Sequence, residues 1–222
     1  MSTTYRILQP GDEAALESFL LPQLESSMFL LSNMRQSGLI DGGERAHGTY
    51  AGAFEDNQLA GVVAHFWNGN IIPQSPPQHL DPLSRLAIER SRRPLRGMVG
   101  PGEQCFAILD AFNVSPDVIH LAEREQLYTL ALDALVVPPV LAEGAVQVRR
   151  ANAADVDLLA AWRVDYSIEA LDAVDTPATR HQSRESIERQ IAAGDCWVAV
   201  RDGERVAMTA FNARIQEAVQ VG

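Results

Sequence analysis

The chain has 222 residues, 46% hydrophobic and 21% charged, with a formal net charge of -11 and a pI near 4.8, a globular composition sufficient for two modest domains or one large one. The acidic balance opposes a nucleic-acid surface, no stretch reaches the roughly 18 apolar residues of a membrane span, and Met1 to Arg6 carries no secretory pattern, so the expected address is the cytoplasm. All 18 basic residues are Arg, which removes the Lys that a P-loop, a pyridoxal Schiff base or a protein kinase requires.

In chain order, Tyr5 to Asp12 reads as a short strand with Arg6 in second place and Asp12 poised to cap a helix. Leu16, Phe19 and Leu20 follow at the spacing of one helix face, and a second helix over Glu25 to Ser37 stops at Gly38. Tyr50 to Ala60 is a hairpin turning on Asp56-Asn57, continued by a strand through Leu59 to Trp67, a turn at Asn68-Gly69 and a strand from Asn70 to Gln74. A helix over Leu80 to Ser91, a strand over Leu95 to Val99, a helix over Gln104 to Phe112 and a final strand over Gln126 to Val137 complete the first half. The cluster Arg85, Arg90, Arg92, Arg93 and Arg96 reads as a solvated helix end, with anion binding as the alternative.

Val137 to Gly144, with Pro138-Pro139, reads as a semi-rigid extended linker. The opening pattern then returns: Val148-Arg149 to Asp155 repeats Tyr5-Arg6 to Asp12 at an offset of 143. Leu158, Leu159 and Trp162 mark a helix, Thr179 to Ala193 a second one before Gly194, and Trp197 to Ala207 a hairpin turning on Asp202-Gly203. The strand from Arg205 to Arg214 leads to Val219-Gln220-Val221. Cys105 and Cys196 sit in apolar stretches and read as buried free thiols, and the five His show no metal spacing, so no metal is expected.

The order strand, helix, helix, antiparallel meander, helix, strand, helix, strand resembles the GNAT superfamily of N-acetyltransferases. The Val148 to Asp155 opening, the Trp197 to Val206 hairpin, Val206 to Ala213 and Val219 to Gly222 carry the likeness. The resemblance implies an α/β fold (α+β mixed sheet) of tandem acyl-CoA N-acyltransferase domains: a degenerate unit at 1–137, a linker at 138–145, and the N-terminal part of a second unit at 146–222. It implies acetyl transfer from acetyl-CoA to an amine acceptor, a small molecule or a protein, without metal. In that family a meander strand offers its backbone to the pantetheine arm, and an Arg/Gln-x-x-Gly-x-Gly/Ala turn presents amides to the pyrophosphate at a helix N-terminus.

Here Gln74 to Pro82 carries Pro76, Pro77 and Pro82 where that turn would lie, so the first unit is expected not to hold CoA. In the second, Val219, Gln220, Val221 and Gly222 take the cofactor-binding place. Ending at Gly222, the unit is expected to lack the pyrophosphate turn, to show no turnover in this form, and to expose a sheet edge that could form a homodimer. Asn212, Glu217 and Tyr166 are the candidate catalytic residues, Asn212 on the premise that it is buried, and Glu169, Phe211 and Trp162 the candidate acceptor contacts, Trp162 and Phe211 also reading as core. The rival expectation is a non-catalytic GNAT-like protein serving binding or assembly.

Overall fold

A computed structural model describes residues 2–222, which form a mixed α/β protein with two compact units, Met1–Leu127 and Tyr128–Gly222.

The first unit runs β1 (Thr3–Ile7), α1 (Glu13–Leu20), α2 (Leu24–Ser37), β2 (Gly48–Glu55), β3 (Gln58–Phe66), β4 (Asn70–Gln74), α3 (Pro77–Ser91), β5 (Gly97–Met98) and α4 (Gly102–Ala111). Its sheet has the order β1-β2-β3-β4-β5, antiparallel except where β4 meets β5. Tyr50 on one face is fully buried and donates to the Leu30 carbonyl of α2 at 2.9 Å, so that face is the one α2 covers. On the opposite face Ala51, Ala53, Val63 and Ile71 are sealed by Leu80, Leu83 and Ala87 of α3 and Ile108 of α4. Small residues on the strands let the helix approach closely, and large ones on the helix fill the space.

The expected strand over Gln126 to Val137 does not form: it holds only a 3-10 turn at Leu132–Ala134 and is exposed throughout. A strand needs a partner, and β5, two residues long and set between Pro94 and Pro101, offers almost no ladder. The first compact unit extends to Leu127. The expected extended linker also differs, because Pro139 starts a helical turn, α5 (Pro139–Ala142), where its missing N–H costs nothing.

The second unit contains β6 (Gln147–Arg150), α6 (Val156–Leu171), α7 (Pro177–Ala192), β7 (Cys196–Arg201), β8 (Glu204–Arg214) and β9 (Val219–Val221), in an antiparallel sheet ordered β6-β7-β8-β9. Leu159 and Ile187 meet Ala151, Cys196 and Val198 in its core.

The two units repeat each other down to hydrogen bonds. Arg6 grips Asp12 through two bonds of 2.6 and 2.7 Å while Asp12 accepts from the Gln9 amide; Arg149 grips Asp155 at 2.7 and 2.9 Å while Asp155 accepts from the Asn152 amide. Both hairpins turn on two residues of positive φ, 47° and 67° at Asp56-Asn57 and 51° and 82° at Asp202-Gly203, as a two-residue hairpin loop demands. Each carries a bulge one step from the turn, between Ala53 and Phe54 and between Ala199 and Val200. After α2 and α7 the chain breaks at Gly38 and Gly194, with φ of 71° and 70°.

Candidate functional site

In the second unit β6 and β9 are the two edge strands of the sheet, and β9 is the one next to β8. Ala210 and Gly222 exchange backbone bonds of 3.1 and 3.0 Å. In an antiparallel ladder the neighbouring pair is then non-hydrogen-bonded, so Val221 turns its N–H and C=O away from β8 toward the open edge. Phe211 lies opposite Val221 and packs on Trp197 with ring centroids 4.4 Å apart. Asn212 is exposed, contrary to its expected burial. The β8 ladder bulges between Phe211 and Ala213, which takes Asn212 out of the strand alternation and sets its amide against Gly222, where a Cβ would meet Nδ2 at 2.0 Å. Glu217 lies in the turn between β8 and β9, which the Ile215 amide closes on the Ala218 carbonyl at 3.0 Å.

The remaining expected residues belong to α6. Trp162 is half-buried against the core that α6 and α7 form over the sheet, Tyr166 is exposed beneath the Arg163 guanidinium at 5.1 Å, and Glu169 is exposed near the helix end. Trp162 and Phe211 therefore sit on opposite faces of one sheet. Phe211, Asn212, Val221 and Gly222 are brought together; Trp162, Tyr166 and Glu169 form a separate group.

That helix borders a cleft of about 540 Å³ lined by Asp157, Ala161, Asp165, Asp175, Arg180 and Arg184, among others. Arg180 makes a two-bond pair with Asp175 at 2.7 and 2.6 Å, and its hydrogen bonding holds the Asp175 carboxyl below the usual range. Arg184 binds Asp157 at 2.7 Å and Glu188 at 3.1 Å. Asp165 has no ion pair among the described residues, so its carboxylate is the one in the cleft left to meet a cation from solution. Sequence reading missed this group; the available signal was Asp157, Ala161 and Asp165 at spacing four on one helix and Arg180 and Arg184 at spacing four on the next.

The corresponding region of the first unit is closed. Pro76 caps α3 and Pro77 is its first residue, and the Ser75 amide is held by the Gln104 side chain at 2.9 Å. Amides at a helix start can hold a phosphate only where they exist and are free. The Arg cluster does not act as one solvated helix end: only Arg90 lies in the last turn of α3, Arg85 pairs with Asp81 at 2.8 Å within the helix, and Arg93, past its end, binds Asp41 and the His65 carbonyl. Both thiols are free, Cys196 buried as expected and Cys105 only half-buried; burial pushes the Cys105 thiol up to about 11 and raises that of Cys196, away from the thiolate form.

No protein-family model and no curated protein matches the chain. Among solved structures it is similar to an acetyltransferase from the GNAT family of Colwellia psychrerythraea, at 12% identity and a TM-score of 0.37, over 99% of this chain and 76% of that one. At that identity and score the likeness assigns neither family nor activity.

Proposed function

We propose that the protein is an acetyl-CoA-dependent N-acetyltransferase of the GNAT kind, built as a tandem whose first unit, 1–137, has lost the cofactor site and whose second, from 146 onward, supplies it. The observation that carries this is the strand–helix–helix–meander order, present twice with the same Arg–Asp clamp and the same bulge position. The outward amide and carbonyl of Val221 suit the extended pantetheine arm, to which they would add as a further strand does. Acetyl-CoA supplies the activated acyl group; a neutral amine nitrogen attacks its carbonyl, the C–N bond forms as the C–S bond breaks, and the amine proton ends on the departing thiolate. Asn212 and Phe211, beside Val221 and Gly222, are assigned to the acyl end and Glu217 to the amine proton, while Tyr166, Glu169 and Trp162, which lie apart on α6, take no step with them. The Asp165 carboxylate would draw in a cationic amine.

A non-catalytic role for the first unit is favoured by one contact, the Gln104 side chain on the Ser75 amide. The test is an amide-shift titration of the ¹⁵N-labelled chain with acetyl-CoA. Shifts gathered on Val219 to Gly222 are expected; shifts gathered at 74–80, or none, contradict the assignment.

A further inference from the structure

On the α3 face of the first sheet, side chains from three elements meet. The register sets Tyr5 of β1 opposite Ala53 of β2, and Glu55 follows two residues along on the same face. Over both, α3 brings His79: its Nδ1 lies 3.0 Å from the Tyr5 hydroxyl and its Nε2 3.0 Å from a Glu55 oxygen, with the Tyr5 and His79 rings edge to face at 5.7 Å. An ionised carboxylate only accepts, so Nε2 carries the proton of the neutral imidazole and Nδ1 keeps the lone pair that accepts from the phenol. The imidazole is 3% exposed and Tyr5 38%, so the base is sheltered while its phenol partner borders solvent. The second unit builds the same strand pair with Val148 and Arg201 at the corresponding places, so pairing these strands does not itself call for a Tyr and a Glu.

We propose that Tyr5, His79 and Glu55 act as nucleophile, base and orienting carboxylate, taking an acyl group from an activated ester onto the Tyr5 oxygen. A nucleophile hydrogen-bonded to a base that a third group holds in place is the arrangement covalent catalysis requires. Tyr5 Oη bonds to the ester carbonyl carbon as its proton passes to His79 Nδ1. The ester carbon–oxygen bond breaks, and the leaving oxygen departs with the electron pair and recovers the proton from the imidazolium. Glu55 keeps the ring oriented through Nε2–H and faces the imidazolium while it lasts. Water then repeats the exchange at the acyl-tyrosine: its proton goes to Nδ1, the bond from the acyl carbon to Tyr5 breaks, and the phenolate recovers the proton as the carboxylic acid leaves. The site lies wholly in the first unit and does not depend on acetyl-CoA binding by the second.

The probe is p-nitrophenyl acetate added to the whole chain, with release of p-nitrophenolate followed by absorbance and acid-quenched samples mapped by peptide mass spectrometry. The chain has no Lys, so side-chain amines do not compete for the acetyl group. Tyr128, 81% exposed, is the internal reference: exposure alone favours it, and a paired base favours Tyr5. The acetyl group is expected on Tyr5 in excess over Tyr128. Release above the uncatalysed background should slow at least roughly hundredfold in Tyr5→Phe and in His79→Asn, whose amide can meet the phenol but takes no proton. Glu55→Gln keeps an acceptor for Nε2–H and loses the charge; it should slow release roughly tenfold or more, and Glu55→Asp should recover part of the loss. Circular dichroism melts distinguish this from a contact that only tethers α3 to the sheet, which would lower Tm and leave the rate of the folded protein unchanged. The partition between Tyr5 and Tyr128 is read in the unaltered chain and stands whatever the variants do to the fold. Acetyl found only on Tyr128 or the N-terminal amine, or release that Tyr5→Phe or His79→Asn leaves unchanged, overturns the proposal.

Discussion

Asp12 and Asp155 hold the same bonds at different depths, the first with a side chain 19% exposed and the second fully buried and shared between Arg149 and Arg205. The Arg149 hydrogen bonds, with help from the Asn152 amide and Arg205, hold the Asp155 carboxyl well below the usual carboxylate range. A carboxyl depressed on folding contributes stability that is complete above its unfolded pKa and is lost as pH falls through the folded one. Melting of the second unit should therefore drop steeply in acid, and Asp155→Asn should lower its Tm near pH 7 while flattening that acid limb. Asp12→Asn should do less, because solvent already screens its pair. Thermal melts by circular dichroism between pH 7 and 2 check this, and equal effects at both positions would refute the difference in depth. The two residues were legible as an Arg in second place and an Asp six residues on, but the Asp was read as a helix cap; its carboxylate makes no cap bond to α1 or α6 and closes on the Arg instead, at a depth that depends on what packs above. Asn212 shows the reverse: a polar residue in an apolar strand suggested burial, and a bulge, which leaves no mark in composition, put it outside.

At the scale of elements, the local signals carried furthest. Gly38, Gly194, Asp56-Asn57 and Asp202-Gly203 fix helix ends and turns through backbone angles that depend on the residues themselves. Gly203→Val should destabilise the second hairpin by about 1 kcal/mol or more, because φ of 82° strains a β-branched residue; chemical denaturation monitored at Trp197 would show it, and an unchanged midpoint would contradict the turn assignment. The α6–α7 pair rests on few fully buried side chains, so Leu159→Ala should cost about 2–5 kcal/mol, measured in the same way. The segment Gln126 to Val137 was misread because its β-branched and aromatic residues give propensity without a partner, and a strand exists only in a ladder. The cleft acids and arginines went unseen for a related reason: each helix shows its own stripe, but only packing sets one stripe against the other.

Across the whole molecule, the Arg–Asp pair and the two-residue hairpin turn recur in both units at positions the sequence marks, and the two compact units divide at Leu127. Residues 113–137 have no long element and expose Val118, Leu127, Tyr128, Leu130 and Val136. Limited proteolysis should cut there first and leave two protected fragments; first cuts inside β2 or β7 would contradict the division. No helix among the described residues is long and apolar enough to cross a membrane. In the proposed function, acetyl-CoA engages the second unit through the edge of β9 and leaves the first alone. Calorimetric titration of acetyl-CoA into the whole chain tests it most directly when paired with Val221→Pro, a change that removes one outward amide, spares the bonds between Ala210 and Gly222 and is tolerated on an edge strand. A single saturable site that Val221→Pro abolishes is the predicted result; binding that survives Val221→Pro, or no binding to the unaltered chain, would contradict it.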